Sequence, residues 1–196
     1  MAHHEIELPN PEEIEEQRSK SFTRRTALFT AVFAVFLAVV SLGGNNATKE
    51  MSLSQQQASD QWAFYQSKAM REHLYHLEAL RQENDLAERG PSMGPEVRQR
   101  REAFLADLRK EEARYEGEKK EIEEKARHLE HERDLYQRKD PYFDFGEVLL
   151  QIAIVLASMS ILTGARPIFW ASAIAAVTGA LLGLNGFVLL VRLPFL

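Results

Sequence analysis

Two long apolar runs near the end of the chain are separated by only three residues. The first, FGEVLLQIAIVLASMSILTG, covers residues 145–164, and the second, IFWASAIAAVTGALLGLNGFVLLV, covers residues 168–191. As helices, both reach the ~20 residues needed to cross ~30 Å of hydrocarbon. Joined by Ala165-Arg166-Pro167, they can only lie as an antiparallel pair. Pro167 suits the turn because it cannot continue a helix interior. A third run, TALFTAVFAVFLAVVSLGG, fills most of residues 24–44 and follows Arg24 and Arg25. A cleaved signal peptide is the rival reading of that run. Its apolar core exceeds the usual ~7–15 residues and no clear small-x-small cleavage site follows, so it reads as an uncleaved anchor.

The mean hydropathy of −0.32 looks water-soluble only because strongly charged segments lie between these blocks. The net charge of −5 argues against a nucleic-acid partner, which needs a basic footprint. Without cysteine there are no disulfides and no thiolate metal sites. Lys20, Arg24, Arg25 and Arg166 flank the spans at ends that three crossings bring to one side, which the positive-inside rule makes cytoplasmic. Arg192, at the far end, counts against this orientation. Residues 1–23 then form an acidic cytoplasmic tail, disordered or weakly amphipathic, and residues 45–144 lie outside.

The outer segment is rich in Glu, Arg, Gln, Leu and Ala, a helix-forming mixture. Its strong breaker is RGPSMGP, residues 89–95. Gly90 suits the position past a helix end, Pro91 blocks continuation, and Pro95 suits the first turn of the next helix. Two helices of similar length, about 49–89 and 95–139, imply an antiparallel hairpin. The return to the membrane, KDPYFDFGE, is expected to break the helix at Pro141. Tyr142, Phe143 and Phe145 would sit in the headgroup belt, and Asp144 with Glu147 would form a capping box. In the second outer helix Leu108, Tyr115, Ile122, Leu129 and Tyr136 recur every seven residues, a thin coiled-coil-like seam. Expected fold: all-α, three transmembrane helices plus a long extramembrane helical hairpin.

The first outer helix carries apolar or aromatic residues on several sides. Ala58, Trp62, Tyr65, Ala69, His76 and Leu80 make one stripe; Ala63, Met70, Leu74 and Leu77 make a second; Phe64 and Tyr75 lie elsewhere. A thin-seamed partner covers only one side. Trp62, Tyr65, Ala69, Met70, Leu74 and Leu77 are therefore candidates for an interface between copies of the chain, with Trp62 and Tyr65 as anchors.

His73 and His76 share a helix face, but two ligands do not make a metal site and no third is placed beside them. His3 or His4 near a free N-terminus could hold copper or nickel, a pattern any exposed tail carries by chance. In the third span Ala171, Ala175, Gly179 and Gly183 form a small-xxx-small ladder, expected to pack on the second span. Glu147, Gln151 and Asn185 are polar groups at membrane depth, where structural hydrogen bonding is expected and Gln151 could bond Asn185. Glycine-rich phosphate loops, nucleophile–base motifs and zinc-protease motifs are missing from the sequence, so neither an enzyme nor a bound cofactor is expected.

The stretches QASDQWAFYQSKAMREHLYHLEAL, YFDFGEVLLQIAIVLASMSILTG and LLGLNGF resemble a bacterial membrane protein family known as domain of unknown function 4337. With the first span, the similarity extends over most of residues 22–190. The acidic head and RGPSMGP lie outside it. The resemblance implies a multi-pass bacterial inner-membrane protein, which makes residues 45–144 periplasmic. It brings no known activity and no catalytic residues. The expected role is a homo-oligomeric scaffold or interaction module whose partners are the lipid bilayer, its own copies and other envelope proteins. The alternative is a pore-forming or accessory subunit of a membrane transporter.

Overall fold

A computed structural model describes residues 11–191. His3, His4 and Arg192 lie outside the described residues. Those described are all-helical: α1 (Pro11–Arg89), a 3-10 turn at Gly90–Ser92, α2 (Pro95–Thr163) and α3 (Arg166–Val188). Each of the three α-helices contains a stretch long and apolar enough to cross a membrane.

The expected break at Pro141 is missing. α1 is one helix from Pro11 through the first apolar run to Arg89, and α2 passes through Pro141 without interruption. Pro141 forfeits a backbone hydrogen bond. Leu108, Tyr115 and Ile122 are buried, and the same seven-residue step continues to Phe143, Leu150 and Ala157, all buried. In α1 the step joins Thr26, Phe33, Val40, Ala47 and Ser54, again all buried.

The chain divides into two compact units, one of residues up to Lys49 and from Tyr136, the other Glu50–Leu135. The core of the first comprises Phe33, Val40, Ala47, Phe143, Leu150, Ala153, Ala157 and Ala176. Tyr142 and Phe143 are 3% and 2% exposed, so they are core residues; of the expected aromatic belt only Phe145 faces outward. The ring of Phe143 fits a hole lined by Gly43, Gly44 and Gly186, where an added Cβ would lie 2.5–3.1 Å from its nearest atoms. Phe143 also meets Phe187 edge-on at 4.9 Å. Two glycines in mid-helix cost roughly 0.5–1 kcal/mol each relative to alanine; here the lost side chains make room for a buried aromatic ring.

The α2–α3 link is Gly164-Ala165. Gly164 takes a left-handed φ of 67° and its N–H donates to Ser160 O at 2.9 Å. The Ser160 hydroxyl donates to Ala165 O at 3.0 Å. Pro167 therefore lies in the first turn of α3, not in the link. Gly90 has no positive φ; α1 instead tightens into the 3-10 turn, and Met93 N–H donates to Gly90 O.

Candidate interaction surface

In the unit Glu50–Leu135, the α1 and α2 segments contact each other in opposite order along their lengths. Gln55 meets Arg133, Trp62 meets Glu130, Lys68 meets Glu118, Glu72 meets Lys119, His76 meets Glu112, Glu83 meets Arg109 and Asp85 meets Arg101. The seam beneath alternates large and small groups. Leu108, Tyr115 and Ile122 of α2 are buried, as are Ala58 and Ala79 of α1. Tyr75 stacks on Tyr115 at 5.5 Å. Leu80, expected in this stripe, is 39% exposed and Ala79 takes its place. A step of three from His76 stays on the inner face, whereas a step of four drifts off it.

Ion pairs edge the seam. The hydrogen bond from Lys68, 2.5 Å from Glu118, holds the Glu118 carboxyl below the usual carboxylate range. The bond to Glu72 raises Lys119. At Glu112, burial pushes the carboxyl up, but bonds from His76 and Arg109 outweigh it and the net direction is down. Exposed pairs of this kind contribute at most ~1 kcal/mol each. They set alignment more than stability.

The six residues read as one oligomer interface divide between two faces. Trp62, Tyr65 and Ala69 are half-buried on the inner face. The Trp62 indole N–H donates to Glu130 at 2.9 Å, and its ring meets Tyr65 edge-on at 5.4 Å. The two aromatics thus make contacts within the chain. Met70, Leu74 and Leu77 point outward, 63%, 59% and 62% exposed. Helical periodicity could separate the two stripes, but not say which one the thin seam of α2 would choose.

His76 Nδ1 lies 2.7 Å from Glu112, while His73 is exposed. Among the described residues no three potential ligands gather into a metal-holding group.

In the other unit, the small-residue stripe of α3 is Ser172, Ala176, Gly179, Gly183 and Gly186. Ala171 is exposed and Ala175 only half-buried, so the expected ladder is displaced by one residue at its start. Gly179 faces Gly146 and Leu149 of α2, while Gly183 faces Val40 of α1. The stripe therefore serves two neighbours, not the second span alone. The Ser172 hydroxyl donates to Ala153 O at 2.7 Å.

Gln151 and Asn185 each bond locally instead of to one another. Gln151 Nε2 donates to Glu147 at 3.2 Å. Asn185 Nδ2 donates to Val191 O at 2.8 Å, and Val191 N–H donates to Asn185 Oδ1 at 2.9 Å. Leu189, with φ 52°, closes the end of α3 by donating to Asn185 O. Terminal helix carbonyls need such partners. Asp144 and Glu147 cap nothing, because α2 has no terminus there.

A family model described as a domain of unknown function (DUF4337) matches residues 22–189. No curated protein and no solved structure matches the chain.

Proposed function

The chain belongs to this family of domains of unknown function, and from that premise and its own geometry we propose a membrane-anchored scaffold. Three spans hold it in the bacterial inner membrane, and the antiparallel pair Glu50–Leu135 projects into the periplasm as a docking element for a second copy. The carrying observation is the outward stripe of Met70, Leu74 and Leu77 on a segment otherwise edged by ion pairs. Exposed apolar surface of this kind in water promotes association, and a second copy offers the same stripe at no extra genetic requirement.

Leu74→Glu combined with Leu77→Glu is expected to reduce the mass of the intact complex in mild detergent to that of one chain. Both side chains are already exposed, so the fold tolerates the change. Retention of the native mass sinks the proposal, and a mass showing a different protein bound there moves the surface to another envelope protein. The alternative, a subunit of a pore or transporter, draws support from the Glu147–Gln151 pair, whose polar atoms face outward on an apolar helix. It requires conductance in bilayers that Gln151→Leu alters.

The orientation rests on Lys20, Arg24, Arg25 and Arg166. Ser92→Cys supplies the only thiol in a cysteine-free chain. It is expected to react with a membrane-impermeant reagent in intact spheroplasts. Labelling only after lysis reverses the orientation.

A further inference from the structure

A cleft of about 540 Å³ lies in the unit that holds the apolar runs, lined by Arg18, Ser21, Arg25, Arg166 and an aromatic wall. The wall is a cluster around Phe169, which meets Phe29 at 5.6 Å, Phe22 at 6.0 Å and Trp170 at 6.1 Å. Three arginines line the cleft, and no acidic residue does. Like charges gathered without a counter-charge repel one another, so such a site favours an anion.

Two further observations point the same way. Thr26 lines the same cleft and is 1% exposed, yet its hydroxyl has no hydrogen-bond partner. Among the described residues it is the one buried side-chain polar atom in that position. The cleft also abuts the start of α3 at Arg166, whose N-cap residue Ala165 makes no side-chain bond to the first backbone N–H groups. The positive end of the helix dipole attracts anionic oxygen.

We propose that Arg18, Arg25 and Arg166, with Thr26 and the start of α3, bind the phosphate of an anionic phospholipid headgroup. A lipid is preferred over free phosphate because apolar surface continues from the cleft. Phe29 and Trp170, which line the cleft, are 47% and 65% exposed, and Ile174, one turn along α3 from Trp170, is 66% exposed, so an acyl chain can lie against this face. Arginine suits the phosphate because its planar fork makes paired hydrogen bonds. The inference rests on the membrane-spanning reading, under which these positive residues share the cytoplasmic face, where basic pockets between helices take anionic headgroups.

The full chain in mild detergent is titrated with phosphatidylglycerol, phosphatidylcholine or inorganic phosphate while thermal unfolding is followed. Phosphatidylglycerol is expected to raise the unfolding midpoint, and the other two are not. Arg25→Gln and Arg166→Gln should each weaken the response about fivefold. Arg25→Lys, which keeps the charge but not the fork, should lie between wild type and Arg25→Gln. An equal rise with phosphatidylcholine, or an unchanged response in the double glutamine variant, overturns the site. A full rise with inorganic phosphate alone overturns the lipid as its source. Should the glutamine variants fail to insert, Arg25→Lys with Arg166→Lys preserves the positive flank, and an undiminished response there overturns the site instead. Recovery of the wild-type chain in the membrane fraction is read in parallel. Its failure sinks the spanning reading, whereas normal recovery without a lipid response sinks only the site.

Discussion

Gly179→Leu is expected to lower the thermal midpoint of the detergent-solubilised chain by the largest margin of any single substitution considered. A Cβ at position 179 would lie 2.8 Å from the carbonyl oxygen of Gly146 and 3.1 Å from Leu149 Cβ. The nearest obstacle is backbone, which cannot rotate away. Overpacking of a filled core costs typically 1–3 kcal/mol, and a contact with backbone puts this site at about 3 kcal/mol. Gly117 has nothing within 4 Å of its added Cβ and sits inside α2. Gly117→Ala should therefore stabilise the chain by about 0.5–1 kcal/mol, through helix propensity alone. The comparison separates close packing from the general cost of replacing glycine. Equal midpoints for wild type and Gly179→Leu would show that α3 has room to move away from α2.

The second large effect is expected from Trp62→Ala with Tyr65→Ala. The two rings touch each other on the inner face of the antiparallel pair, and Trp62 is tied to Glu130. Truncating a fully buried aromatic costs about 3–5 kcal/mol. These are half-buried and in mutual contact, so their effects overlap, and about 3 kcal/mol for the pair is the expected total. The loss should appear as faster proteolysis and hydrogen exchange within residues 50–135. Phe64→Ala, at a ring that is 60% exposed, should change stability by less than about 0.5 kcal/mol. If the double variant keeps its protease resistance but loses oligomer mass, the two aromatics are anchors between copies after all, and Met70, Leu74 and Leu77 are not the docking stripe.

The sequence by itself determined the elements that depend on local chemistry. Apolar runs of sufficient length, the Pro and Gly at 90–95, and the seven-residue recurrence from Leu108 to Tyr136 each act within a few residues of themselves. Their consequences could be read without knowing the fold. The outer helix of residues 49–89 showed its two stripes for the same reason, since periodicity assigns residues to faces.

Tertiary structure decided what each face meets. Pro141 reads locally as a breaker, yet α2 continues through it, and Phe143 and Leu150 just beyond it are buried in a core. Gly43 and Gly44 read as weak points in a helix, and the ring that makes them useful lies about a hundred positions away in the chain. The Asn185 side chain could reach several partners at its depth; the return of the chain to Val191 settled which one it holds. The aromatic stripe of Trp62 and Tyr65 was visible, but its partner was not. A residue's face follows from helical geometry, whereas its occupant follows from the simultaneous burial of every other face, and no window of sequence contains that competition.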